Sequence, residues 1–136
     1  MAIKNSDAQV LQHILKYCFE VEATSKLFHV NAMKIKDNFI VRNALNMPIQ
    51  QIGELAKHLT KEFTESHNEI PWRSIRGMRN IFAHDYGNCD PKKIWGTVSC
   101  DIPVLKKYCI DTLKENNMLI PKPESIQNTA SNQYSR

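Results

Sequence analysis

A chain of 136 residues, 42% hydrophobic and 24% charged, has room for one domain around one core and the composition of an ordinary globular protein. Its formal net charge of +4 permits a polyanionic partner without requiring one. The apolar runs are far too short to span a bilayer, and "MAIKNSDAQV" lacks the apolar core of a secretory signal, so the expectation is a cytoplasmic protein with no membrane contact. Cys18, Cys89, Cys100 and Cys109 form no CxxC pair and have no histidine at zinc-ligand spacing. They are expected to be reduced core thiols.

Only 4 glycines occur, and few stretches alternate apolar and polar residues, which favours helices over strands. The first helix is expected to start at Ser6, where "SDAQ" reads as a capping box, with Gln9 reaching back to the chain start. Val10, Ile14, Tyr17, Cys18 and Val21 give it an apolar face, and it should fade between Ser25 and His29. A second, long helix is expected from about Ala32 to Thr60, with Ile40, Ala44, Met47, Ile52, Leu55 and Leu59 as its inner stripe. Pro48 lies inside it and removes a helical hydrogen bond, so a kink is expected there. Asn43, Asn46, Gln50 and Glu54 form a polar line on another face.

"SHNEIPW" interrupts the periodicity, and Pro71 suits the first turn of a third helix. Ile75, Met78 and Phe82 give that helix its apolar side, and Gly87 or Asn88 can end it in the left-handed conformation. Asp90 and Pro91 read as the cap and first turn of a last helix. Ile94, Val98, Ile102, Leu105, Cys109 and Leu113 carry it to about Asn117, with a bend at Pro103. The fold class is therefore all-α, an up-and-down bundle of about four helices over residues 1–118. Residues 119–136 are polar and are expected to form a flexible tail.

The chemistry concentrates in "GMRNIFAHDYG", Gly77 to Gly87. At four-residue spacing Arg76, Asn80 and His84 share one face, and Arg79 and Tyr86 share a neighbouring strip. Arg73 adds a further positive charge upstream. An imidazole titrating near neutrality can exchange a proton with a hydroxyl, and a guanidinium can hold a phosphate and stabilise charge on its oxygens. RNA presents both targets, a 2′-hydroxyl beside a phosphodiester. The same residues also fit a bland reading: Arg79 as a surface ion-pair partner, His84 favoured by a helix C-terminus, and Tyr86 as a packing residue.

The motif and its surroundings resemble the HEPN superfamily, and within it the HepT-like toxins that pair with minimal nucleotidyltransferase (MNT) antitoxins. Arg79, Asn80, "IFA" and His84 follow the superfamily motif, and Tyr86 completes the Arg-x4-His-x-Tyr of the HepT-like branch. "NMPIQQIGELAKHL", "IPWRSIRGMRN", "DPKKIW" and "DIPVLKKY" look like the family's other segments, in order, over roughly residues 5 to 117. The resemblance implies a metal-independent endoribonuclease with no cofactor, acting as a homodimer in which two motifs face one cleft. By that likeness His84 and Arg79 are catalytic, at the 2′-hydroxyl and the scissile phosphate, with Asn80 as motif support. Arg73 and Arg76 are candidate RNA contacts, and the RNA is cellular, with tRNA a candidate. The family's nucleotidyltransferase antitoxin transfers AMP onto the motif tyrosine, here Tyr86. Arg42 and Glu54 lie near where the family's cleft would be, in either a motif-supporting or a structural role. The rival reading is a HEPN domain that binds RNA, nucleotide or a nucleotidyltransferase without cutting. A purely structural helical dimer is the second rival.

Overall fold

The computed structural model describes residues 2–82 and 90–124, and among these every regular element is helical. α1 spans Asn5–Phe28, α2 Ala32–Asp37, α3 Phe39–Ala56, α4 Lys61–Ser66, α5 Trp72–Gly77, α6 Pro91–Gly96 and α7 Ile102–Glu115. A 3-10 turn, Met78–Asn80, continues α5, and a π turn, Thr97–Asp101, joins α6 to α7. No helix among the described residues is long and apolar enough to cross a membrane.

α1 is the centre of the bundle and packs against both α3 and α7. Its face of Leu11, Ile14, Leu15, Cys18 and Val21 is fully buried, whereas Val10 and Tyr17 sit at its margin. The capping box does not form. The helix begins one residue earlier, at Asn5, with Lys4 as an N-cap that makes no side-chain bond. Asp7 is turned inward, 2% exposed, and its carboxylate accepts from the Thr60 amide at 2.9 Å and the Thr60 hydroxyl at 2.7 Å. The Thr60 hydroxyl oxygen in turn accepts from the Phe63 amide and caps α4.

The long second helix expected from Ala32 to Thr60 is two helices, α2 and α3, followed by the turn that leads to α4. Asn38 breaks it first, because its side-chain oxygen accepts from the amides of Ile40 and Val41 and starts a new helix. The Arg42 guanidinium donates to the carbonyls of Ile35 and Lys36 and so closes the end of α2, a structural role. α3 then runs through Pro48 as one helix to Ala56, and Thr60 opens α4. The buried stripe of α3 is Val41, Leu45, Pro48, Ile49, Ile52 and Ala56. Of the expected stripe, Ile52 and Leu59 are buried and Leu55 packs on the core, but Ile40 and Met47 are 53% and 51% exposed. The polar line of Asn43, Asn46, Gln50 and Glu54 does face outward.

Asp90 caps α6 as expected, accepting from the amides of Lys92 and Lys93, with Pro91 in the first turn. Ile94, Val98, Ile102, Leu105, Cys109 and Leu113 are all buried. Pro103 has no amide hydrogen and its ring would crowd the carbonyl four residues back, and the chain widens into the π turn just before it. Met118, at the end of the expected bundle, packs on the core, and so does Ile120 of the expected tail, while the Leu119 carbonyl accepts from Gln12 at 2.8 Å. Cys18 and Cys109 are core thiols, but Cys100 is exposed on the π turn, against expectation. Burial pushes the Cys109 thiol up to about 12. Burial, reinforced by Cys109, also raises Cys18 well above its ordinary value. Cys89 lies outside the described residues.

Replacing Asp7 by Ala removes a buried acceptor and leaves the Thr60 amide without its partner. Stability should fall by about 1–3 kcal/mol, read as a lower urea midpoint at constant slope. Ser6→Ala should stay within ~0.5 kcal/mol of wild type, because Ser6 caps nothing.

Candidate active site

The residues singled out upstream of His84 sit on α5 and its 3-10 extension. The single helix expected from Pro71 to Gly87 is shorter: α-helical bonding ends at Gly77, and the chain tightens through Met78, Arg79 and Asn80. Pro71 is the N-cap and not the first helical residue. Ile75 and Met78 are buried and Phe82 is half-buried, which anchors the apolar side as expected. His84, Tyr86, Gly87 and Asn88 lie outside the described residues.

α3 packs directly against this element. The contact runs through Gly53. A Cβ built on Gly53 would lie 2.5 Å from the Arg79 amide nitrogen and 3.1 Å from the Arg76 carbonyl oxygen. Only a residue without a side chain lets the two backbones approach so closely. The next residue, Glu54, then meets the Arg79 guanidinium, with Oε1 at 3.0 Å from Nη1. Lys57, one turn on, holds the same carboxylate oxygen more loosely, at 3.8 Å. The Arg79 Nε donates a long hydrogen bond of 3.4 Å to the Asn80 side chain.

The Arg79 and Glu54 side chains are 41% and 39% exposed, so the pair is worth little to stability, roughly 0.2–1 kcal/mol. Its effect is geometric. A long, flexible side chain is given one direction, while the rest of the guanidinium fork keeps donors for an anion. Arg73 and Arg76 precede Arg79 at three-residue intervals; Arg73 is exposed and Arg76 half-exposed. Arg79 and Lys57 therefore share the Glu54 carboxylate, and Arg73 and Arg76 add positive charge on the same element as Arg79. The surface can neutralise an added phosphate.

The family described as ribonuclease HepT-like matches residues 14–112, a span that contains this whole arrangement. The chain belongs to the ribonuclease HepT-like family. A relative from Caldanaerobacter subterraneus subsp. tengcongensis, named as a candidate RNase, is 35% identical over 106 residues, covering 77% of this chain and 92% of the relative. A protein of Thermococcus cleftensis named a probable ribonuclease HepT is 41% identical over 71 residues, or 52% of this chain and 61% of that one. A Methanocaldococcus jannaschii protein named as a gamma-glutamylcyclotransferase and candidate RNase is 33% identical over 109 residues. This chain spans less than half of its length, 46%. No solved structure matches the chain at a significant level.

Among the described residues of this HepT-like chain, no group of three or more His, Cys, Asp or Glu is arranged to hold a metal ion. Trp72 is core: it is 5% exposed, and its indole donates to the His67 carbonyl at 2.9 Å. His13, His29 and His58 are exposed, and His67 stacks on Phe63 at 4.1 Å between ring centres. Sequence reasoning named Arg79 and Asn80 in one motif but put them on neighbouring strips, assigned Gly53 no role and left Glu54 open. The available signal was a glycine inside an otherwise strong helical pattern, a choice that weakens a helix and so asks for a packing reason.

Gly53→Ala should therefore cost about 1–3 kcal/mol, because α3 and the 3-10 turn must separate. Gly96 is helical with nothing within 4 Å of its added Cβ, so Gly96→Ala should gain ~0.4–1 kcal/mol. Urea unfolding of both proteins checks the contrast. Equal stability of Gly53→Ala and wild type would rule out the tight contact.

Proposed function

We propose that this chain is a metal-independent endoribonuclease, the toxin of a toxin–antitoxin pair, with Arg79 and His84 as its catalytic residues. The observation that carries the reading is the Arg79 guanidinium, directed by Glu54 and flanked by Arg73, Arg76 and Asn80 on the element that runs into His84. The names borne by the relatives, RNase and ribonuclease HepT, point the same way.

In this reading His84 takes the proton from a 2′-hydroxyl. The freed oxygen attacks the adjacent phosphorus, the P–O5′ bond breaks, and O5′ takes up a proton. The products are a cyclic phosphate end and a 5′-hydroxyl end. Arg79 holds the phosphate and offsets the charge that grows on its oxygens. Asn80 orients the site, and Arg73 and Arg76 contact flanking phosphates. The substrate is cellular RNA, with tRNA a candidate.

The active species is a homodimer with two motifs in one cleft. An outward stripe on α3 supports this, since it starts with the exposed Ile40 and Met47 and ends at Glu54 beside Arg79. An MNT-type nucleotidyltransferase antitoxin silences the enzyme by adding AMP to Tyr86. That adds bulk and negative charge to the motif and repels RNA.

Purified protein, made without its partner and checked by mass for unmodified Tyr86, should cleave RNA in excess chelator. Arg79→Ala and His84→Ala should each lose at least ~100-fold in rate while remaining folded. No cleavage by the unmodified wild type across a broad set of RNAs would favour a domain that binds without cutting.

A further inference from the structure

A groove opens on the far side of Asn80. α5 and the 3-10 turn form one wall, and α6, the π turn and the start of α7 form the other. Its volume is about 900 Å³, in the range of small-ligand sites. Buried Ile75, Met78 and Leu105 contribute apolar lining. Exposed polar residues border it from different elements, among them Asn80, Lys93 and Asp101.

Two observations tie the groove to the catalytic motif. Asn80 belongs to both, since it lines the groove and accepts from Arg79 Nε. The two walls are also the elements that lead into and out of residues 83–89, the stretch carrying His84 and Tyr86. The widened turn before Pro103 contributes Thr97, Cys100 and Asp101 to the lining. π turns often occur at functional sites.

We infer that this groove is a subsite for one nucleotide of the RNA beside the scissile phosphodiester, with Asp101 selecting guanine; the inference rests on the ribonuclease reading above. The apolar lining suits the faces of a base, and the Lys93 ammonium suits its phosphate. An ionised carboxylate only accepts hydrogen bonds, so it selects a base edge that donates. Guanine presents two adjacent donors, N1–H and N2–H, which match two carboxylate oxygens. Adenine, cytosine and uracil each present one donor next to an acceptor. Asp101 is thus a specificity residue and not a catalytic one.

The test uses a random-sequence RNA pool in excess chelator, with sequencing of the cut ends for wild type and Asp101→Asn. Wild type should enrich guanine over uracil about tenfold at one fixed position beside the cut. Asp101→Asn should flatten that ratio to under about twofold, a readout independent of total rate and of stability. A second arm alkylates the exposed Cys100 with iodoacetamide, read by peptide mass, with and without a guanine-containing RNA made uncleavable by 2′-deoxy substitution. Bound RNA should slow labelling several-fold. Cleavage without base preference, a preference kept in Asp101→Asn, or Cys100 labelling unchanged by bound RNA would overturn the groove assignment alone. Failure of wild type to cleave any RNA would count against the ribonuclease reading, and Cys100 protection would then decide whether RNA enters the groove.

Discussion

The site depends on one steric condition: position 53 must have no side chain. The backbone of the 3-10 turn lies so close to α3 that a Cβ on residue 53 would sit 2.5 Å from the Arg79 nitrogen. That proximity sets the distance at which Glu54 reaches the guanidinium, 3.0 Å. Burial of Ile75 and Met78 on one side and of Ile49 and Ile52 on the other presses the two elements together. Gly53 lets that pressure end in backbone contact. The core thus converts a non-directional force into a defined position for one cation.

The charge arrangement follows from this. Arg79 and Lys57 outnumber the one Glu54 carboxylate they share, so this contact keeps a net positive charge while the Arg79 side chain is held. An unpaired arginine would sample many rotamers, and ordering it on substrate would cost entropy. A partly exposed ion pair limits that cost while remaining weak enough for a phosphate to compete with it. The rest of the fold supports this corner at a distance. Asp7 on α1 fixes Thr60, and Thr60 starts α4, which leads to Trp72 and α5.

Local signals were legible in the sequence, and tertiary ones were not. The Asp90–Pro91 start of α6 and the Ile94-to-Leu113 stripe read correctly because caps and helical periodicity are properties of neighbouring residues. Asn38 was missed because a residue with a modest helix penalty acts as a breaker only when its side chain replaces a backbone bond. The stripe expected for the second helix was right at Ile52 and Leu59 but wrong in its first half, because Ile40 and Met47 are as apolar as Val41 and Leu45, and only packing decides which set is buried. "SDAQ" did not act as a capping box, since α1 starts at Asn5 with Lys4 as its N-cap, and the tertiary role of Asp7 as the acceptor for Thr60 was not legible. Arg79 and Asn80 were legible from motif spacing, whereas the Glu54 contact required the fold.

The central claim is that this surface uses the 2′-hydroxyl of RNA as the nucleophile, with no metal ion. The most direct measurement compares two chemically synthesised oligonucleotides in excess chelator, identical except for a 2′-deoxy sugar at the mapped cleavage position. The account predicts a 2′,3′-cyclic phosphate on the product of the all-ribose strand and an intact deoxy-substituted strand. Cleavage of the deoxy-substituted strand at the same bond, or a strict requirement for added divalent metal, would contradict it.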